Sequence, residues 1–137
     1  MSAPNHTSRA LAAVVGIGLL AAGCGSGGTL SAKALSQESS TLQSLAAEGA
    51  LLARDSAAGK TTAIYTRVHS EALAKAASKA AASLQSATTE PGLEPKLRRV
   101  ASLAGEVSDD LKQLGHASRN EQLRLAKELS KAAEELG

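Results

Sequence analysis

The chain has 137 residues, a length that suits one small domain, and it contains 15 Lys and Arg, 13 Asp and Glu, one Cys, one Tyr and no Phe or Trp. Arg9 lies in a segment that we expect to be removed. The rest of the chain is therefore almost neutral, which provides no electrostatic argument for binding nucleic acid. A single cysteine excludes an internal disulfide and argues against a thiolate metal cluster.

Residues 1–23 have the three-part order of a secretory signal. Residues 1–9 are polar and basic, residues 10–20 are apolar and uncharged, and small residues 21–23 precede Cys24. A helix needs about 20 apolar residues to span a bilayer. The apolar run is shorter than that, so the sequence favours an export signal over a transmembrane helix.

The stretch Leu20-Ala21-Ala22-Gly23-Cys24 resembles the lipobox of bacterial lipoproteins, and the resemblance covers residues 1–24 only. Three positions before the cysteine these proteins more often have Leu, where this chain has Ala21. The resemblance implies cleavage between Gly23 and Cys24 and a diacylglyceryl group, with acyl chains such as palmitate, on the Cys24 thiol. It also implies an extracytoplasmic protein anchored to the cell membrane. Residues 24–28 would then be the lipidated cysteine and a flexible Gly/Ser tether.

The remaining residues, 29–137, are rich in Ala, Leu, Ser, Glu and Lys, which favour helix. We predict helices at about 29–58, 61–87, 96–114 and 119–136. Gly59, the Pro- and Gly-containing stretch 88–95 and Gly115 separate them, and Ser118 with Glu121 matches a capping box. The expected fold is all-α, an antiparallel four-helix bundle made of two helical hairpins.

Each predicted helix has an apolar face. The first carries a seam with spacings typical of a coiled coil, in which Gly49 would either allow close helix approach or weaken the helix. In the second, Glu71 and Lys75 are spaced for an ion pair. The core would contain few large apolar side chains, so self-association is an alternative to a monomer. The residues expected to point inward are, in the first helix, Leu35, Leu42, Leu45 and Leu52; in the second, Tyr65, Val68, Ala72, Leu73, Ala76, Ala80 and Leu84; in the third, Leu97, Val100, Leu103, Ala104, Val107, Leu111 and Leu114; and in the fourth, Leu125, Leu129, Ala133 and Leu136.

Three side chains are candidates for a ligand or interface contact: Tyr65, His69 and His116. His69 follows Tyr65 by one helical turn and could be a ligand or a pH-sensitive contact. A hydrogen-bonded histidine at a helix interface is the favoured interpretation, because no second metal ligand is placed near it by spacing. His116 is expected in a solvated loop, and we predict no metal site.

Other polar patterns suggest no chemistry. Gly59-Lys60-Thr61 resembles the end of a phosphate-binding loop, but Arg54 stands where that motif requires glycine. The cluster Lys96, Arg98 and Arg99 could touch anionic headgroups, although a solvated face is the favoured interpretation, and Asp109-Asp110 is expected to be solvated. No base is placed near a serine by spacing, so we predict that the protein is not an enzyme.

The sequence therefore predicts a lipid-anchored, extracytoplasmic helical module that binds rather than catalyses. Its partners would be membrane lipid, reached through the diacylglyceryl group on Cys24, and either an envelope protein, a second copy of the chain or the membrane surface. The alternative is a small-ligand or metal carrier that uses the region of Tyr65 and His69. No cofactor and no nucleic acid are expected.

Overall fold

The computed structural model describes residues 29–137, which form a four-helix bundle. Helix α1 spans Ala32–Ala57, α2 spans Ala63–Ser86, α3 spans Glu94–Leu114 and α4 spans Arg119–Leu136. The predicted all-α antiparallel bundle is confirmed. The predicted signal segment, Cys24 and the tether up to residue 28 lie outside the described residues.

Local side chains set most of the helix ends. The hydroxyl oxygens of Ser31 and Thr62 accept hydrogen bonds from backbone N–H groups in the first turns of α1 and α2. Helix α3 begins slightly earlier than predicted, because Pro95 lies in its first turn, where a missing N–H breaks no helical bond. At α4 the predicted capping box is present, and the backbone N–H of Ser118 donates to the Glu121 carboxylate at 2.7 Å.

The structure also contains a short parallel strand pair that the sequence did not predict. Strand β1, Thr29–Leu30, pairs with β2, Thr88–Thr89, with Thr29 opposite Thr88. The sequence pattern placed Thr29 in the first helix, but Ser31 is the N-cap, so the two residues before it are extended. The start of the described chain therefore lies beside the connection between α2 and α3.

Helix α1 packs most extensively on α4, and α2 on α3, whereas α1 and α2 share a narrower contact. Buried serines link both extensive pairs: the hydroxyl of Ser39 donates to the carbonyl of Leu136 at 2.7 Å, and that of Ser108 to the carbonyl of Ala74 at 3.3 Å. Gly49 is buried where α1 meets α3 and α4. A Cβ atom there would lie 2.5 Å from Leu111 Cδ2, so the glycine permits this close approach.

The core is aliphatic and rich in alanine. In α1, α3 and α4 the predicted inward residues are buried, apart from Leu45 and Ala133, which are partly buried. The prediction for α2 was partly wrong. Tyr65, Val68, Ala72 and Ala76 are exposed, and the buried side is formed instead by Thr66, Ser70, Leu73, Ala74, Ala77, Ala81 and Leu84.

Two small polar residues explain this error. Ser70 is fully buried, and its hydroxyl donates to the carbonyl of Arg67 at 3.0 Å. The hydroxyl of Thr66 is within hydrogen-bonding distance of those of Thr61 and Ser56, at 2.9 and 3.2 Å. Because these hydroxyls have hydrogen-bond partners nearby, they can be buried at little cost in free energy. Helix α2 can therefore turn its alanine-rich side inward.

Candidate functional site

Large apolar side chains are exposed at one end of the bundle. Across the described residues, five are between 45% and 69% exposed: Leu51, Ile64, Tyr65, Val68 and Leu123. All five lie in the half of the bundle remote from β1, since α1 starts beside β1 and runs for roughly 39 Å toward the α1–α2 connection. Three of them occupy the first two turns of α2.

The exposed side of α2 combines these apolar residues with two lysines and the carboxylate of Glu71. Ile64, Val68, Lys75 and Lys79 are four, seven and four residues apart, a spacing that places them on one side of the helix, and all four are exposed. We call the exposed set Ile64, Tyr65, Val68, Ala72, Lys75 and Lys79 the outer face of α2.

The two lysines of this face are exposed to solvent. The ion pair between Glu71 and Lys75 that their spacing allowed is not formed. Within residues 29–137, neither Lys75 nor Lys79 pairs with a carboxylate. The outer face is thus apolar in its first half and has two lysines in its second, and the exposed carboxylate of Glu71 lies beside it, four residues before Lys75.

The predicted candidate His69 bridges α1 and α2. Its Nε2 atom lies 2.7 Å from Oε1 of Glu48, and its ring stacks on that of Tyr65 with centroids 5.5 Å apart and planes 13° apart. Both side chains of this hydrogen-bonded pair are substantially solvated. The arrangement tethers two helices that share a narrow contact, and it is the one expected of a structural histidine. Glu48 was not identified from the sequence, because it lies 21 residues before His69.

His116 lies apart from that pair. It is exposed in the connection between α3 and α4, and its backbone N–H donates to the carbonyl of Gln113 at 3.1 Å. The structure thus brings Tyr65 and His69 together and leaves His116 separate. In the part of the chain that the structure describes, no three His, Cys, Asp or Glu residues are grouped so that they could hold a metal ion.

An open groove of about 440 Å³ between α3 and α4 carries both signs of charge. Burial, and secondly the nearby Glu128 carboxylate, raise the pKa of Asp110 from 3.8 to about 6. The prediction that residues 109 and 110 are both solvated therefore needs correction. Asp109 is exposed and accepts a hydrogen bond from Lys112 at 2.9 Å, but Asp110 is partly buried. Cations neutralise much of the groove: Arg124 pairs with Glu128 at 2.6 Å, and Arg99 with Glu135 at 3.5 Å.

The basic cluster at the start of α3 is partly neutralised as well. Arg99 forms the ion pair with Glu135, whereas Lys96 and Arg98 are exposed. Arg98 borders a second groove, of about 560 Å³, between the end of α2 and the start of α3. The apolar floor of this groove, Leu84, Leu97 and Ala101, is already almost fully buried. These three side chains therefore offer a ligand little exposed area.

Comparison of the chain with protein-family models, with curated proteins and with solved structures finds no match. None of the helices within residues 29–137 has the length and hydropathy needed to cross a membrane. The outer face of α2 is accordingly identified as the candidate site from its exposure, charge and position alone.

Proposed function

We propose that this protein is a lipid-anchored helical module of the cell envelope that acts through contacts made by the outer face of α2. The observation that supports the contact role is the row Ile64, Tyr65 and Val68, whose side chains are all more than half exposed. Contiguous exposed apolar groups on soluble domains often mark interaction sites. This row lies on a regular helix, which presents it in a defined geometry.

The anchor in this proposal is the lipid expected on Cys24. Thr29, the first described residue, lies at one end of the bundle, and it follows Cys24 by five residues in the sequence. A flexible tether of about five residues spans roughly 12 Å. The bundle would therefore stay close to the headgroups of the membrane that holds the acyl chains.

The anchor is tested by expressing the full chain in a bacterium with labelled palmitate, followed by membrane fractionation. We expect the wild-type chain to be labelled and membrane-bound, and Cys24→Ser to be unlabelled and to keep its N-terminal segment. Ser26→Ala changes a tether residue without removing the thiol, and it should behave like wild type. Equal processing and equal membrane retention of Cys24→Ser would refute the anchor.

A further inference from the structure

We infer that the outer face of α2 rests on the anionic surface of the membrane that holds the anchor, so that the bundle lies on its side. The inference depends on the proposed lipid anchor. It identifies the membrane itself as the contact made by Ile64, Tyr65, Val68, Lys75 and Lys79.

The position of Thr29 makes this contact reachable. Thr29 pairs with Thr88, two residues after α2 ends at Ser86, so the first described residue lies beside the end of α2. Helix α2 has 24 residues and is therefore roughly 36 Å long. If the bundle tilts about the tether, this helix can lie along the surface.

The composition of the outer face suits an anionic lipid surface. Lys75 and Lys79 lie in the half of α2 nearer the tether, and both are free of ion pairs with the described residues. Lysines near such a surface are attracted to it, and their aliphatic stems can lie along the headgroup layer. Ile64 and Val68 would enter the acyl boundary, and Tyr65 has the amphipathic ring favoured at membrane interfaces.

The exposed side of α3 is less suitable. It carries the carboxylates of Glu106 and Asp109 together with its cations. An anionic surface would repel these carboxylates. Helix α2 also has an exposed carboxylate, Glu71, but only this one, and of these two helices it alone carries an exposed apolar row.

The strength of the contact also favours the membrane over a diffusing protein. Three apolar and two basic side chains make a small surface that binds weakly on its own. A surface that is tethered to the membrane meets it at an effective concentration near millimolar, so a surface that binds weakly would still be bound most of the time. A free partner present at micromolar concentration would require roughly thousandfold tighter binding.

The test uses a fluorescent reporter, because the natural chain has no Trp. The full chain carrying Val68→Trp is purified in its lipid-anchored form and placed on vesicles of phosphatidylcholine, with or without an equal amount of phosphatidylglycerol. We expect a shift of tryptophan emission to shorter wavelength and a loss of acrylamide quenching on the anionic vesicles only. Lys127→Trp, at an exposed position of α4, is the matched control and should remain quenched on both.

Charge reversal tests the role of the lysines. In the Val68→Trp chain, Lys75→Glu with Lys79→Glu should abolish the emission shift. Arg119→Glu with Lys127→Glu, two exposed positions on α4, should preserve it. Helical circular dichroism should be unchanged in both pairs, since all four side chains are exposed.

A second arm separates this inference from the proposed anchor. If the cell adds no lipid, the thiol of Cys24, the only cysteine, is coupled to a maleimide-bearing lipid in the vesicles. Anchored protein whose indole remains quenched on anionic vesicles would overturn the inference. So would an emission shift that appears without vesicles and grows with protein concentration, because a second copy would then cover the face.

Discussion

The imidazole Nε2 of His69 lies 2.7 Å from the carboxylate oxygen Oε1 of Glu48. This hydrogen bond joins α1 to α2, two consecutive helices that pack less extensively on each other than on α4 and α3. The contact lies on the surface, so its energetic contribution is limited by solvent.

We expect the hydrogen-bonded pair Glu48–His69 to contribute less than about 1 kcal/mol to stability, because both side chains are exposed to solvent. A double-mutant cycle with Glu48→Gln and His69→Ala, measured by urea unfolding near pH 6, would give the coupling energy directly. A coupling of several kcal/mol would mean that the pair does more than hold two helices at the surface.

The same variants test the ligand-carrier alternative. Added Zn²⁺ should leave the thermal unfolding temperature of the wild-type protein unchanged, because His69, Glu48 and Tyr65 supply too few metal ligands for a closed site. A reproducible increase that disappears in His69→Ala would instead support a carrier role for this region.

Gly49→Ala should destabilise the protein by about 1 kcal/mol. The new methyl group would overlap Leu111 in a filled core, which should lower the free energy of unfolding by about 1 to 3 kcal/mol. The higher helix propensity of alanine should restore about 1 kcal/mol of this loss. Gly105→Ala in α3 is the matched control. No atom lies within 4 Å of its added Cβ, so it should stabilise by about 0.5 to 1 kcal/mol. Urea unfolding of both variants would reveal opposite signs; a stabilising Gly49→Ala would be inconsistent with the close approach.

Two α2 positions that the sequence pattern placed in one apolar arc should behave differently. Leu73 is 6% exposed, and Leu73→Ala should cost about 3 kcal/mol through lost burial and a cavity. Val68 is 60% exposed, and Val68→Ala should change stability by less than about 0.5 kcal/mol. Equal losses in thermal or urea unfolding would mean that Val68 is covered, for example by a second copy of the chain.

Asp110 should make stability fall as the pH rises from about 4 to about 6. Its pKa is raised from 3.8 to about 6, so in this interval the folded state binds more protons than the unfolded chain. The destabilisation should persist above pH 6. Because the carboxyl is partly solvated, we expect about 1 kcal/mol rather than the full value of the shift.

Asp110→Asn should therefore raise stability at pH 7 and flatten the profile between pH 4 and pH 6. Glu134→Gln removes an exposed carboxylate near the other end of α4, and it should leave the profile unchanged. Urea unfolding at several pH values would check both. An unchanged profile in Asp110→Asn would show that Asp110 is not the group that titrates.

The sequence by itself determined the number of helices and most of their ends, because caps and breakers act within a few residues of the chain. Ser118 and Glu121 are three residues apart, and Gly59 has the positive φ of 72° that a residue with a Cβ rarely adopts. The faces of α3 and α4 were also predictable, since large aliphatic residues recur on one side of each. The lipobox resemblance at Cys24 likewise came from the sequence, and it remains a prediction.

Only the tertiary structure decided which side of α2 is buried. Its apolar side chains are mostly alanine, so local hydropathy barely distinguishes one face from another, and packing on α3 selected the side with Thr66 and Ser70. That choice exposes Tyr65 and Val68 and creates the candidate surface. The pairing of Thr29 with Thr88 and of Glu48 with His69 joins distant segments, and no local pattern encodes such contacts. They form only when the helices pack, and the pairing of Thr29 with Thr88 places the first described residue beside the end of α2.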